Sequence, residues 1–449
     1  MRKRSHLLPI LIWTLFWGLF FGTLLLAIER LPNGDLSGQF HAFGLFQVRE
    51  IGSGRFPIWS PGSYGGVPFA ADTQAAVFYP LRWLTILFSL PRGFSYYALE
   101  IEGLLHIWLS GLFTYFLAYD IVRTPSRSDQ VEKDPLSSNY SRWTLSSAHW
   151  AGLLAAVAFG LGGYLTSYPL LQLAVLESIA WLPLVLWLLR KGVGINPGPR
   201  ENSQRHIPAL LAAGVVLGVS ALAGHPQTFL HVAYLAAVYF LFLVWQARWR
   251  WKWVIGLGLM VTAIAVGVAM SAFIPAIRFL PFTVRNEITY EFISKGFSLL
   301  DYAQVFIPGP LSLWLPQYTG LVTVFLTVLA WLGRHSWPLR RQKAETIFWV
   351  VVVLFAGWLS LGDKGILFEL AYRILPGFSL FRQQERLVSV VSLGMALLGA
   401  QGLALWFRAG FDRRRLWVRK AGIIVAAILL LIGFVFLLSR STNGQNDWL

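Results

Sequence analysis

The sequence contains no cysteine, which excludes disulfides, zinc-thiolate sites, iron–sulfur clusters and thiol catalysis within the chain. Charge is scarce as well: 13% of the 449 residues are Asp, Glu, Lys or Arg, about half the share of a typical soluble domain. Acidic residues are the scarcer kind, 21 against 37 Lys and Arg. In a soluble protein the resulting charge of +16 would raise the question of nucleic acid. Here 56% of the residues are hydrophobic and the mean hydropathy is +0.58, so the partner to expect is a lipid bilayer, with no nucleic acid. No phosphate-binding P-loop is present, and no cytoplasmic segment is long enough to form the soluble domain that a nucleotide-sugar enzyme requires.

What remains is a succession of apolar runs of about twenty residues, the length that crosses a bilayer core. Residues 7–28 follow Met-Arg-Lys-Arg and lack a small-residue cleavage site before Glu29, which predicts an uncleaved first span. Further spans are expected near 96–119, 148–167, 172–189, 207–223, 228–245, 253–276, 317–333, 346–360, 387–407 and 421–439, about eleven transmembrane helices in all. The stretch 76–90 is shorter and interrupted by Pro80 and Arg82, which suits an interfacial or re-entrant helix. With that stretch left uncrossed, the cytoplasmic segments carry 24 of the 37 Lys and Arg, as the positive-inside rule requires. The expectation is a single all-α polytopic domain over 1–440 in a bacterial cytoplasmic (inner) membrane. Its amino terminus lies inside and a short tail, 441–449, lies outside.

This topology leaves three sizeable extracytoplasmic segments, 29–95, 277–316 and 361–386. Long loops call for a function. The first is rich in Gly and Pro turns around Trp59, Tyr64, Phe69, Phe78 and Tyr79, a composition suited either to a cleft that stacks on sugar rings or to an interfacial aromatic belt. Asp35 lies seven residues beyond the first span, within reach of a lipid headgroup, and reads as a general base or as a turn or cap residue. Asp72 is the other aspartate of this loop and the alternative base or metal ligand.

The residues Gly34-Asp35, Gln39-Phe40, Arg49, Gly54, Phe56-Pro57-Ile58-Trp59, Gly65-Gly66-Val67-Pro68 and Phe78-Tyr79-Pro80-Leu81 together resemble the opening of the bacterial YfhO-like membrane proteins. Trp181-Leu182-Pro183-Leu184, Gly224-His225-Pro226-Gln227 and Leu375-Pro376-Gly377-Phe378, followed by Phe381-Arg382 and Arg386, extend the resemblance from about 10 to 407. That family belongs to the GT-C glycosyltransferases, multi-span enzymes that take a sugar from a polyprenyl-phosphate carrier and place it on an acceptor at the external face. The resemblance implies a GT-C-like fold with a long first extracytoplasmic loop. It also implies Asp35 as the catalytic or metal-binding carboxylate, and a glycopolymer, glycolipid or protein of the cell envelope as acceptor. A Mg²⁺ or Mn²⁺ cofactor is left open, with Asp35 as its candidate ligand. Longer YfhO-like proteins carry further spans, and the Trp-Trp-Asp pattern of oligosaccharyltransferases is absent here.

Sugar transfer from a lipid phosphate needs a base, a cation for the departing phosphate and a cleft near the bilayer surface. Arg382 and Arg386 lie four apart, so a helix beginning there would put both guanidinium forks on one face; snorkelling to headgroups is the alternative. Arg278, Arg285 and Lys295 are secondary phosphate candidates. His225 and Gln227 sit at a Gly/Pro-broken span boundary and are expected to face the cleft or simply to form a turn. Glu102 and His106 share one helical face, and Glu177 lies inside the fourth span; they line a donor cavity or hydrogen-bond between helices. With Gln39, Trp59 and Tyr79 they complete the expected substrate-binding set. Two other functions compete: a transporter or flippase of lipid-linked sugars, and a non-catalytic membrane protein that binds lipid-linked glycans.

Overall fold

The computed structural model describes residues 6–62, 65–123, 145–195, 205–283, 289–306 and 317–442. All regular elements among them are helical, and the one extended pairing is an isolated antiparallel bridge between Ser60 and Val67. The protein is a multi-pass helical membrane protein. Among the described residues, six stretches are long and apolar enough to cross a bilayer: Tyr96–Val122, Leu173–Val193, Pro226–Gln246, Trp251–Phe282, Arg340–Leu359 and Gln384–Arg408. Shorter apolar helices and a long final helix occupy the remaining expected segments.

The chain forms two compact units, Met1–Leu161 with Leu165–Thr289, and Gly162–Tyr164 with Tyr290–Leu449. The first holds α1 (Leu7–Phe20), α2 (His41–Gly52), α3 (Pro80–Ser89), α4 (Tyr96–Val122) and α5 (Ser147–Gly160). It continues with α6 (Leu173–Ala180), α7 (Leu182–Val193), α8 (Ile207–Leu222), α9 (Pro226–Gln246) and α10 (Trp251–Phe279). Helix α1 packs on α4 and α5, and the indole of its buried Trp13 donates to the Trp108 carbonyl at 2.9 Å. The expected span over 7–28 is not one continuous helix, because Phe21 leaves helical geometry (φ −104, ψ 17) and a short turn, Gly22–Leu25, follows. The expected 172–189 span likewise divides at Trp181 into α6 and α7, where Pro183 stands in the first turn of α7 and has no N–H to continue the ladder.

Helix α3 has ten residues, half of what a crossing needs at about 1.5 Å per residue. It begins at Pro80, where the missing N–H costs nothing and the ring presets φ. Tyr79, Ala76, Leu222, Ala223 and Ala272 form one buried cluster that seats the start of α3 against the end of α8 and the side of α10.

The second unit contains α11 (Leu321–Gly333), α12 (Arg340–Leu359), α13 (Ile366–Ile374), α14 (Val388–Arg408) and α15 (Phe411–Thr442). Helix α14 is its core, almost wholly buried, with α11 and α12 packed along it.

Candidate active site

The first loop is tied down at its beginning by a carboxylate inside the helical bundle. Glu100, fully buried on α4, accepts from the Arg30 guanidinium at 2.8 Å and from the Leu31 N–H at 2.7 Å. The Tyr97 hydroxyl donates to the Leu25 carbonyl at 2.6 Å. The chain then enters a π-helical turn, Leu36–Phe40, pinned by its buried Leu36 and Phe40. Asp35 stands at the head of this turn, exposed, and its side chain makes no cap hydrogen bond. Instead its Oδ2 accepts from Gln172 Nε2 at 3.1 Å, at the residue that opens α6.

The other aspartate of the loop is committed differently. Asp72 caps the short turn Thr73–Ala75, its Oδ1 accepting from the Gln74 N–H at 3.0 Å. Gln74 also accepts from Gln39 Nε2 at 2.7 Å, and Gln47 donates to the Ala75 carbonyl at 2.6 Å. The turn is therefore held to the π-helical segment by one amide pair and to α2 by another. On its other side it meets Gly224, whose φ is +97 and where a Cβ would stand 2.1 Å from the Thr73 carbonyl oxygen. Only glycine permits that approach.

Next to this glycine, His225 is 5% exposed and caps α9: its Nδ1 accepts from the Thr228 N–H at 3.1 Å and lies 2.8 Å from the Thr228 hydroxyl. The imidazole nitrogen expected to face a cleft is folded back onto its own helix, and Gln227 is buried beside it. The N–H groups of the helix start have no acceptor within the helix and draw on the nearest one outside it.

Below the loop lies a buried ionic cluster. Arg82 of α3 is wholly buried, with Nε 2.9 Å from Glu102 Oε1 of α4 and Nη2 3.6 Å from Glu177 Oε1 of α6. The Tyr79 hydroxyl lies 2.5 Å from His106 Nε2 and accepts from the Trp181 indole at 2.9 Å. His106 Nδ1 lies 2.7 Å from the Glu102 carbonyl oxygen. Burial holds the Tyr79 phenol well above its ordinary range. Tyr79, Glu102 and Glu177 thus meet one another and Arg82 in the interior of the first unit. Sequence reasoning placed Arg82 only as a breaker of an apolar stretch; its two partners, 20 and 95 positions along the chain, have no local signature.

An apolar cavity of about 470 Å³ opens between the loop and α10, lined by Phe56, Ile58, Pro68, Ala70, Ala71, Phe78, Pro275, Arg278 and Phe279. Arg278 is exposed and, among the described residues, forms no ion pair. Asp72 directly follows the lining residue Ala71. Trp59 is half exposed, one residue beyond the lining residue Ile58.

Arg382 and Arg386 belong to the second unit and do not share a helical face. Gln383 adopts φ +63, which ends any helix between them, and only Arg386 lies in the 3₁₀ turn Gln384–Leu387. The exposed Arg382 stands over the Phe292 ring at 5.1 Å. Lys295 pairs with Asp363 at 3.6 Å. Tyr64, Arg285 and Glu287 lie outside the described residues.

No group of three His, Asp or Glu side chains able to hold a metal ion occurs among the described residues. Asp35 is met by an amide donor and Asp72 by a backbone N–H. These surroundings do not fit a Mg²⁺ or Mn²⁺ ion held by side chains alone.

No protein-family model matches the chain, and no protein of curated function matches it in sequence. Solved structures similar to it include the crystal structure of ArnT from Cupriavidus metallidurans bound to undecaprenyl phosphate. The identity there is 14% and the TM-score 0.48, over 95% of this chain and 64% of that one. The same protein in the apo state gives 14% identity and a TM-score of 0.43, over 97% and 66%. The chain thus spans about two thirds of the length of that protein, and a likeness of this size carries no functional argument.

Proposed function

We propose that the protein is a GT-C-type membrane glycosyltransferase that transfers a sugar from a polyprenyl-phosphate carrier to a cell-envelope glycopolymer, lipid or protein on the extracytoplasmic face. The observation that carries this reading is Asp35: an exposed carboxylate at the edge of the bundle, released from capping and oriented by Gln172. One oxygen accepts from the glutamine, and the other is available to an acceptor hydroxyl. The cavity beside the loop, apolar with Arg278 at its edge, has the chemistry of an isoprenoid chain ending in phosphate.

In this mechanism Asp35 takes the proton of the acceptor hydroxyl as its oxygen attacks the anomeric carbon. The bond from that carbon to the carrier phosphate breaks on the opposite face, and its electron pair leaves with the phosphate. Arg278, in the same unit as Asp35, is the cation proposed to stabilise that leaving group. Asp72 and Gln39, joined through Gln74, shape the turn beside the cavity, while Trp59 offers an aromatic face to a sugar. No step requires a metal ion.

The test uses purified protein, a polyprenyl-phosphate sugar and a pool of envelope acceptors, with donor consumption read by mass spectrometry. Consumption by the native protein and a rate lower by about a thousandfold in Asp35→Asn, at equal expression, support the reading. Equal rates in the two proteins remove Asp35 from it. Donor binding without consumption replaces transfer with a binding function, and donor movement across proteoliposomes without transfer replaces it with flipping.

A further inference from the structure

At one end of the second unit four helix termini converge: α11 finishes, α12 begins, α14 finishes and α15 begins. Gly333 makes the convergence possible, since Trp417 of α15 and Leu405 of α14 close over it, and a Cβ there would stand 3.1 Å and 3.2 Å from them. The connection from α11 to α12 carries Arg334, the first turn of α12 carries Arg340, Arg341 and Lys343, and the first turns of α15 carry Arg413, Arg415, Arg419 and Lys420. None of these eight forms an ion pair among the described residues, and the α15 four are all exposed. Against them stand only Asp412 and the buried Glu345.

Aromatic rings organise part of this charge. Arg334 lies 3.7 Å above the Trp331 ring, Arg408 5.1 Å from Trp337 and Arg414 5.5 Å from Trp406. Trp337 is itself fixed, its indole donating to Thr346 at 3.0 Å, and Thr346 in turn to Gln401 at 2.6 Å. A guanidinium laid on an indole presents its N–H edge sideways, and Arg334 uses one such group, Nη1, on the Trp331 carbonyl at 2.6 Å. Arg414 Nε is buried with no acceptor among the described residues, while its Nη2 donates to the Phe407 carbonyl at 3.2 Å. Tryptophan rings of this kind sit at the headgroup level of a bilayer, so the oxyanion that meets this surface is a lipid phosphate.

We infer that this end of the second unit is a binding surface for anionic phospholipid headgroups, independent of the proposed transfer chemistry. The guanidinium and ammonium groups of the two banks take the phosphate oxygens, and the accessible rings of Trp331 and Trp406 meet the upper part of the acyl chains.

The full chain, delipidated in a neutral detergent, is titrated with cardiolipin, phosphatidylglycerol or phosphatidylcholine, and separately with inorganic phosphate, and bound lipid is counted by native mass spectrometry. The expected result is retention of the two anionic lipids at least about tenfold tighter than phosphatidylcholine, weakened by salt. The Arg413→Gln/Arg415→Gln/Arg419→Gln/Lys420→Gln variant should lose that preference. Equal retention of phosphatidylcholine, or a preference that neither salt nor the variant reduces, overturns the inference. Competition by inorganic phosphate at the lipid's own concentration reduces the surface to a general anion site and also overturns it. Should the variant fail to accumulate, the salt series on the native chain decides.

Discussion

Asp35 and Asp72 illustrate how two carboxylates of one loop acquire different tasks from their immediate neighbours. Asp72 spends an oxygen on the Gln74 N–H, whereas Asp35 heads a turn without capping it and is held from outside by Gln172. Replacing Gln172 with Leu removes a donor to a charged acceptor, and transfer should slow by about tenfold with the substrate KM little changed; steady-state kinetics on the variant check this. Asp35 stands out in the sequence by its place in the long first loop, seven residues beyond the first span. Gln172 does not, since an amide at a break between two apolar helices looks like any other polar residue there. For His225 the sequence left a cleft-facing ring and a plain turn both open, because a histidine before proline does not announce that the N–H groups of the following helix claim its Nδ1.

At the scale of elements, the short helix α3 decides where the loop sits. It carries Arg82 into the interior, where the guanidinium meets Glu102 and Glu177. Replacing Arg82 with Met should cost about 3–5 kcal/mol, because two buried carboxylates lose their cation; thermal unfolding in detergent measures it. Adding Glu102→Gln and Glu177→Gln to that variant should recover part of the loss. That α3 is a helix too short to cross was readable from Pro80, Arg82 and the length of the apolar run. That Arg82 is buried was not, since its partners come from two other helices. The turn after Asp72 depends equally on a distant residue: Gly224→Ala would drive a methyl group into the Thr73 carbonyl at positive φ. It should destabilise the protein by more than about 1 kcal/mol, and transfer activity should fall with it. The helix imagined for Arg382 and Arg386 failed on one residue, Gln383, whose left-handed backbone no composition rule announces.

Across the whole molecule, apolar periodicity and span length identified the helical segments well, because a bilayer imposes one length and one composition on whatever crosses it. The division into two compact units was not visible, since both are built from the same apolar alphabet. The ionic cluster lies entirely within the first unit. Hydrogen exchange on Arg82→Met should therefore rise in 80–89, 96–122 and 173–180 while protection of the buried helix 388–408 stays unchanged.

The order in which the cluster's members lie along the chain also matters when the protein is made. Arg82 and Glu102 are separated by 20 positions and face each other at 2.9 Å, so both have left the ribosome long before Glu177 is synthesised. The nascent helix α4 can enter the bilayer with its carboxylate already neutralised by a neighbour from the same hairpin. Glu177 then arrives as a third charge at a site already assembled. Loss of Arg82 should therefore hinder insertion itself, because Glu102 would enter the bilayer unpaired, whereas loss of Glu177 should act only on the finished fold, a difference in timing that protease protection of newly made chains would register.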